Sequence, residues 1–64
     1  MVVLKVTLLE GRSLEKKREL ARRLSEAAAR HFGEDLQEIR LVFYEVSKDD
    51  WAVGGVLLRD KEEA

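Results

Sequence analysis

The sequence contains no cysteine and no proline, and it has a single histidine. The absence of cysteine excludes disulfide bonds and thiolate metal sites, and one histidine cannot form a histidine-rich metal site within one chain. The apolar runs are far too short for a membrane-spanning helix, and no basic segment leads into an apolar segment with a cleavage site. We therefore expect a soluble, cytoplasmic protein with no membrane contact and no bound metal.

The charges nearly cancel, since 12 basic and 13 acidic residues give a net charge of −1. This balance provides no general attraction to nucleic acid, so we expect no nucleic-acid partner. Charged residues make up 39% of the chain, which is compatible with a thermophilic protein or with an idealised, engineered sequence. The 64 residues predict one domain, 1–64, whose core is marginal. With disulfides and metals excluded, such a chain needs partner subunits.

Residues 1–12 (MVVLKVTLLEGR) are the stretch around which the rest of the chain is organised. They begin with β-branched and aliphatic residues that only Lys5 and Thr7 interrupt, which predicts a strand buried on most of both faces. The α-amine lies at one end of this strand and Arg12 at the other, one strand length apart. Any chemistry that these two groups share therefore requires a second chain.

A helix and a second strand follow. Leu14–Phe32 contains no glycine and repeats its apolar residues at helical spacing, with Ser13 as a suitable N-cap and Gly33 at the C-terminal end. Ile39–Val46 is rich in β-branched and aromatic residues and predicts a strand. Because a helix connects the two strands, we expect them to be parallel neighbours with a right-handed crossover.

The C-terminal part of the chain predicts a hairpin. Residues 51–53 and 56–58 flank the glycine pair Gly54 and Gly55, which is typical of a tight two-residue turn, and residues 59–64 form a charged tail. The predicted fold class is α/β: a single β-α-β unit with parallel strands plus a C-terminal β-hairpin, in an oligomerising chain.

Both faces of the predicted sheet carry apolar side chains, whereas one helix can cover only one face. We assign Val2, Leu4, Val6 and Leu8 to one face, and Val3, Leu9, Ile39, Leu41 and Phe43 to the rest of the sheet. The face without a helix should bury against other copies, and the hairpin is well placed to extend a neighbour's sheet.

The strings LLEGRS, SEAAAR and IRLVFYEV, with the ending Lys48-x-x-Trp51-x-Val53-Gly54-Gly55, together resemble the 4-oxalocrotonate tautomerase family. The resemblance covers nearly the whole chain. It implies a hexamer built as a trimer of dimers. It also implies a reaction that moves a proton between carbons of an unsaturated keto acid, in aromatic catabolism, without a cofactor or a metal.

The resemblance also implies a set of site residues. In the family, an N-terminal proline is the general base, and two arginines bind the carboxylate and carbonyl ends of the substrate. The arginines correspond to Arg12 and Arg40, and a pocket aromatic corresponds to Trp51, where phenylalanine is common. Leu9 and Val53 would form apolar wall. The substrate-binding residues implied are therefore Leu9, Arg12, Arg40, Trp51 and Val53.

The chain departs from the family pattern at the reacting atom, because Val2 stands at the position of the proline. A free α-amine has a pKa of about 7.7–8.0, and nearby guanidinium groups would lower that pKa toward neutrality, where an amine can act as a base. If Met1 is removed, the Val2 amine takes the place of the proline nitrogen. If Met1 stays, the amine is displaced by about 3.8 Å, and the reaction should be nearly abolished. The catalytic candidates are therefore Met1, Val2, Arg12 and Arg40.

Three functions remain open from the sequence. In the first, the chain is a tautomerase subunit that acts on a small anionic substrate such as 2-hydroxymuconate. In the second, it is a non-catalytic subunit that lends arginines to a proline-bearing partner in a mixed hexamer. In the third, it is an engineered self-assembling scaffold. The cations among residues 16–23 could form a phosphate-binding surface, but Glu15, Glu19 and Glu26 lie among and beside them, so they are interpreted as a solvated face. Glu45, Asp49 and Asp50 are interpreted as strand-end and turn residues, not as metal ligands.

Overall fold

The computed structural model of the chain describes residues 1–61. It contains both predicted strands and the predicted helix within the expected bounds. The elements are β1 (Val2–Leu9), α1 (Leu14–Phe32), β2 (Ile39–Val46), β3 (Ala52–Val53), β4 (Val56–Leu57) and α2 (Leu58–Lys61). Single 3₁₀ turns at Leu36–Glu38 and Lys48–Asp50 lead into β2 and the hairpin.

Helix α1 begins and ends where its capping residues predict. The Ser13 hydroxyl accepts a hydrogen bond of 3.2 Å from the backbone N–H of Lys16, which satisfies one of the free donors of the first turn. Gly33 has φ 66 and donates its backbone N–H to Ala29 O, so the left-handed conformation that glycine tolerates ends the helix. Neither α1 nor α2 has the length and apolar character that a membrane crossing requires.

Strands β1 and β2 are parallel, as predicted, in a register that runs from Val2 opposite Ile39 to Leu9 opposite Val46. A further bond of 3.0 Å from the Glu10 N–H to Val46 O continues the ladder. The register pairs even-numbered residues of β1 with odd-numbered residues of β2 on the same face.

This register corrects the predicted faces of the sheet. Lys17 of α1 forms an ion pair of 3.0 Å with Glu45, so the odd-numbered residues of β2 face the helix. Ile39, Leu41 and Phe43 therefore lie on the helix-covered face together with Val2, Leu4, Val6 and Leu8, and their assignment away from those residues was wrong. The other face, called here the open face, carries Val3, Lys5, Thr7, Leu9, Arg40, Val42, Tyr44 and Val46.

The C-terminal hairpin is confirmed, with Gly54 at φ 61 and Gly55 at φ 85. Two successive positive φ angles are typical of the turn whose twist matches a two-residue hairpin. The Leu58 N–H closes the hairpin with a bond of 2.8 Å to Trp51 O, but Leu58 also begins the single turn α2, where the sequence predicted the end of a strand and a tail. Part of the predicted tail, residues 62–64, lies outside the described residues.

The isolated chain is too open to be a compact globule. Its radius of gyration is 15.3 Å, whereas a compact chain of this length has about 11 Å. Its accessible surface is 5151 Å², against about 4,200 Å² for a compact monomer of this mass. Within the described part of the chain, Ile39 is the one buried core residue, while Val3, Val42 and Tyr44 on the open face are 48%, 41% and 48% exposed. This exposure is typical of a surface that another chain covers.

Candidate functional site

The first group of candidate residues lies at the amino ends of the two strands. Met1 precedes β1, and Arg40 lies opposite Val3 in the register. The Met1 amine is 3.7 Å from Glu38 Oε1, and Arg40 Nη1 donates a hydrogen bond of 2.7 Å to Gln37 O. Met1, Val2 and Arg40 thus lie at the same end of the sheet, with Val2 on the helix-covered face and Arg40 on the open face, and we call them the amino-end cluster.

The second group lies at the opposite ends of the strands. Arg12 follows β1, and its Nη1 donates a bond of 3.0 Å to Leu9 O. Trp51 and Val53 follow the 3₁₀ turn after β2; the Trp51 side chain is half-buried, and Val53 is 49% exposed. Leu9, Arg12, Trp51 and Val53 thus end or follow the two strands along the chain, and we call them the carboxyl-end cluster.

One chain does not bring the two clusters together. The 8 residues of β1 span about 26 Å at about 3.3 Å per residue, and the strands are parallel, so both amino ends lie far from both carboxyl ends. A small acid cannot contact Arg40 and Arg12 of the same chain. If the residues that the resemblance implies form one site, two chains must contribute to it.

A cleft of about 200 Å³ adjoins the carboxyl-end cluster. It is lined by Val6, Leu8, Arg12, Lys16, Lys17 and Leu20. Because its lining comes from β1, from the first turns of α1 and from the connection between them, with no residue of β2, the cleft opens along the outer edge of β1. That edge has no neighbouring strand in the described part of the chain, since β1 pairs with β2 alone.

The three cationic side chains that line this cleft differ in whether a carboxylate lies next to them. Lys17 is paired with Glu45 at 3.0 Å, and both side chains are largely covered. Arg12 donates to the neutral carbonyl of Leu9, and the Lys16 ammonium has no carboxylate partner within residues 1–61. The cleft therefore has an apolar floor and two uncompensated cations, which suits the carboxylate of an organic acid.

Lys16, Arg18, Arg22 and Arg23 are exposed, which agrees with the interpretation of this segment as a solvated face. The sequence did not predict that Lys16 and the half-buried Lys17 also line the cleft. The two lysines precede Leu20 by four and three residues, which places all three on one side of the helix. That spacing from an apolar residue of the stripe was the signal available in the sequence. The acids Glu15 and Glu19 on either side of the cations obscured this signal, because mixed charges are typical of a solvated face.

The three acidic residues after the middle of β2 make separate contacts. Glu45 pairs with Lys17, Asp49 with Arg59, and Asp50 accepts from the Ser47 hydroxyl at 3.2 Å. These contacts agree with their interpretation as strand-end and turn residues.

Comparison with known proteins gives consistent matches along the chain. The family model for tautomerase enzymes matches residues 3–61. A crystallised 4-oxalocrotonate tautomerase homologue is 65% identical, with a TM-score of 0.90 over 94% of this chain and 95% of that one. A chain of a heterohexamer 4-oxalocrotonate tautomerase from Chloroflexus aurantiacus J-10-fl is 50% identical, with a TM-score of 0.88 over 94% and 97% of the two chains. A 2-hydroxymuconate tautomerase of Pseudomonas putida is 37% identical over 57 residues, which are 89% of this chain and 90% of that protein.

These matches confirm the fold class and the resemblance on which the site residues were chosen. The β-α-β unit, the parallel register and the terminal hairpin agree with the solved relatives over nearly the whole described chain. The chain belongs to the tautomerase family.

Proposed function

We propose that this chain, as a single cytoplasmic domain of residues 1–64, is a subunit of a cofactor-independent tautomerase. Its substrate would be a small unsaturated 2-keto or 2-hydroxy acid such as 2-hydroxymuconate. Membership of the family and the likeness to a 2-hydroxymuconate tautomerase support the reaction class. The observation that carries the proposal is the apolar cleft with the uncompensated Arg12 at its rim, open at the free edge of β1.

The proposed site forms between chains. If two copies paired their free β1 edges about a twofold axis, the strands would be antiparallel, and the amino-end cluster of one copy would meet the carboxyl-end cluster of the other. The exposed apolar residues of the open face then support further association of such dimers into a homohexamer or a heterohexamer. The heterohexamer relative supports an assembly of this size.

Each proposed site residue then has a distinct role. Arg12 and Arg40 bind the carboxylate and the carbonyl or enol oxygen, because planar guanidinium groups match these acceptors in a bidentate geometry. The terminal amine, from Val2 after removal of Met1, takes the proton from the enol hydroxyl and returns one to a carbon of the conjugated chain. Leu9, Trp51 and Val53 supply apolar wall that excludes water.

A second candidate function rests on Val2. The chain lacks the proline that the resemblance implies as the base, and a relative at 50% identity is a heterohexamer chain. In this alternative, the chain is a non-catalytic subunit that lends Arg12 or Arg40 to a site whose base belongs to a proline-bearing partner. A self-assembling scaffold without any activity is the third possibility.

One set of assays separates these functions. The pure chain is assayed with 2-hydroxymuconate, beside a Val2→Pro variant that starts at residue 2, and intact mass establishes whether Met1 is present. Turnover by the chain alone, abolished by Arg12→Ala, supports the tautomerase. Turnover only after mixing with a proline-bearing subunit supports the second function. No turnover by the chain, the Val2→Pro variant or any mixture would contradict both and leave the scaffold.

A further inference from the structure

We propose that Lys16 is an additional specificity-determining residue, which together with Arg12 binds the carboxylate remote from the reacting carbons and so selects dicarboxylates. This inference rests on the tautomerase site proposed above, and it concerns which acids that site binds. It assigns a function to a helix residue that neither the sequence pattern nor the resemblance identified.

The charges of the cleft distinguish Lys16 from its neighbour. Lys17 lines the same cleft, but its ammonium is 3.0 Å from Glu45 Oε2. An anion that enters the cleft would therefore gain little attraction from Lys17, because Glu45 already neutralises its charge. Lys16 has a backbone contact, from its N–H to the Ser13 hydroxyl, while its ammonium has no carboxylate partner in the described part of the chain. An entering carboxylate would therefore be bound by Arg12 and Lys16.

The size and the floor of the cleft define the ligand class. The volume of about 200 Å³ is below the roughly 300–1,000 Å³ of sites for drug-sized ligands, which favours a short acid. Val6, Leu8 and Leu20 form an apolar floor against which a short hydrocarbon chain can lie. A carboxylate at the end of that chain would then reach the cationic rim, whereas a methyl group at the same position would leave both cations unpaired.

The position of Lys16 in the helix argues against a purely structural role. It lies in the first turn of α1, where the helix dipole favours acidic side chains and disfavours cations. Its replacement by a neutral residue should therefore leave the stability of the helix unchanged or slightly raised. A loss of ligand binding in that variant would not come from a loss of folding.

The test compares two unreactive ligands that differ at one end, muconate and sorbate, which are the dicarboxylate and the monocarboxylate of the same six-carbon diene. Binding to the assembled full chain is measured by titration calorimetry for the wild type, Lys16→Gln and Arg18→Gln. Arg18 is the matched control, because it lies in the same helix without lining the cleft and loses the same charge. Light scattering verifies that each variant keeps the wild-type assembly.

We expect Lys16→Gln to weaken muconate binding about tenfold while sorbate binding changes less than about twofold. Arg18→Gln should leave both ligands unaffected, and Lys16→Arg should restore muconate binding. Equal losses for muconate and sorbate, no loss for either, or the same loss in Arg18→Gln would overturn the inference. Selective loss of muconate in a chain that does not turn over 2-hydroxymuconate would contradict the proposed reaction and leave the role of Lys16 intact.

Discussion

In the proposed site, anion binding depends on Arg12 and Arg40, whose local partners are neutral groups. Each donates a hydrogen bond to a nearby backbone carbonyl, and each is exposed. Neither forms an ion pair with a carboxylate of residues 1–61. Both guanidinium groups therefore lack an anionic partner in the described part of the chain, which leaves them available for a ligand.

A substitution of Arg40 should therefore separate binding from folding. We expect Arg40→Ala to weaken muconate binding by about 10- to 100-fold, because a hydrogen bond to a charged group contributes about 1.5–3 kcal/mol. The free energy of unfolding should change by less than about 0.5 kcal/mol, as for other exposed positions. Calorimetric titration and urea denaturation measure the two quantities, with Arg18→Ala as the control. Losses of similar size in both would make Arg40 a structural residue.

For individual residues, the sequence predicts which side chains are candidates for the site better than it predicts the contacts of those side chains. The two arginines and Trp51 could be selected from the resemblance, whereas the cleft and the unpaired charge of Lys16 depend on how α1 lies over β1. The pairing of Lys17 with Glu45 joins residues 28 positions apart. Local sequence patterns carry no information about contacts at that separation.

Helix α1 is the element that positions the cationic rim, and its N-cap fixes the turn from which Lys16 projects. The Ser13 hydroxyl bonds the Lys16 backbone N–H at 3.2 Å. The cap therefore contributes both to the stability of the helix and to the geometry of the cleft.

Removal of this cap should destabilise the chain. We expect Ser13→Ala to lower the free energy of unfolding by about 1 kcal/mol, because a backbone donor of the first turn loses its partner. Ser13→Asp is the matched control and should keep the wild-type value, since aspartate is an equally good cap. Urea denaturation at fixed protein concentration provides the measurement. An alanine variant as stable as the wild type would show that the cap contributes nothing.

The long elements were predictable because their patterns are long and uninterrupted. Leu14–Phe32 and Ile39–Val46 have the predicted bounds, and β1 lies within the stretch 1–12 that predicted it. Each is a long segment of regular pattern between breaking or capping residues. The predicted face for Ile39 was wrong. The register between β1 and β2, whose paired residues are 37 positions apart, decides which face each residue of β2 occupies. Local sequence patterns do not encode that register. The single turn α2 was missed, since four residues give too short a pattern.

At the scale of the whole molecule, the chain exposes an apolar face that a monomer could not keep in water without cost. Val3, Val42 and Tyr44 are between 41% and 48% exposed, and the accessible surface exceeds that of a compact monomer by roughly 900 Å². In the proposed assembly, burial of this face between chains would compensate for the small core of each chain.

A charge on the open face should therefore prevent assembly. We expect Val42→Asp to raise the dissociation constant of the oligomer by at least about 100-fold, since burial of an unpaired carboxylate costs several kcal/mol. The melting temperature should also become strongly dependent on protein concentration. Leu14→Glu is the control, because Leu14 is 59% exposed and belongs to α1, not to the open face. Light scattering at micromolar concentration measures the mass, and a Val42→Asp variant of wild-type mass would argue that the open face is not an interface.

The central claim is that each site combines the amino-end cluster of one chain with the carboxyl-end cluster of another. Subunit complementation tests this claim most directly. Arg12→Ala and Arg40→Ala chains are unfolded together in equal amounts, refolded and titrated with muconate, beside each variant alone. If the two arginines of a site come from different chains, about a quarter of the sites in random mixed assemblies have both, so tight binding returns at about a quarter of the wild-type stoichiometry. If both arginines of a site came from one chain, no mixed assembly would contain an intact site, and the absence of tight binding in the mixture would contradict the account.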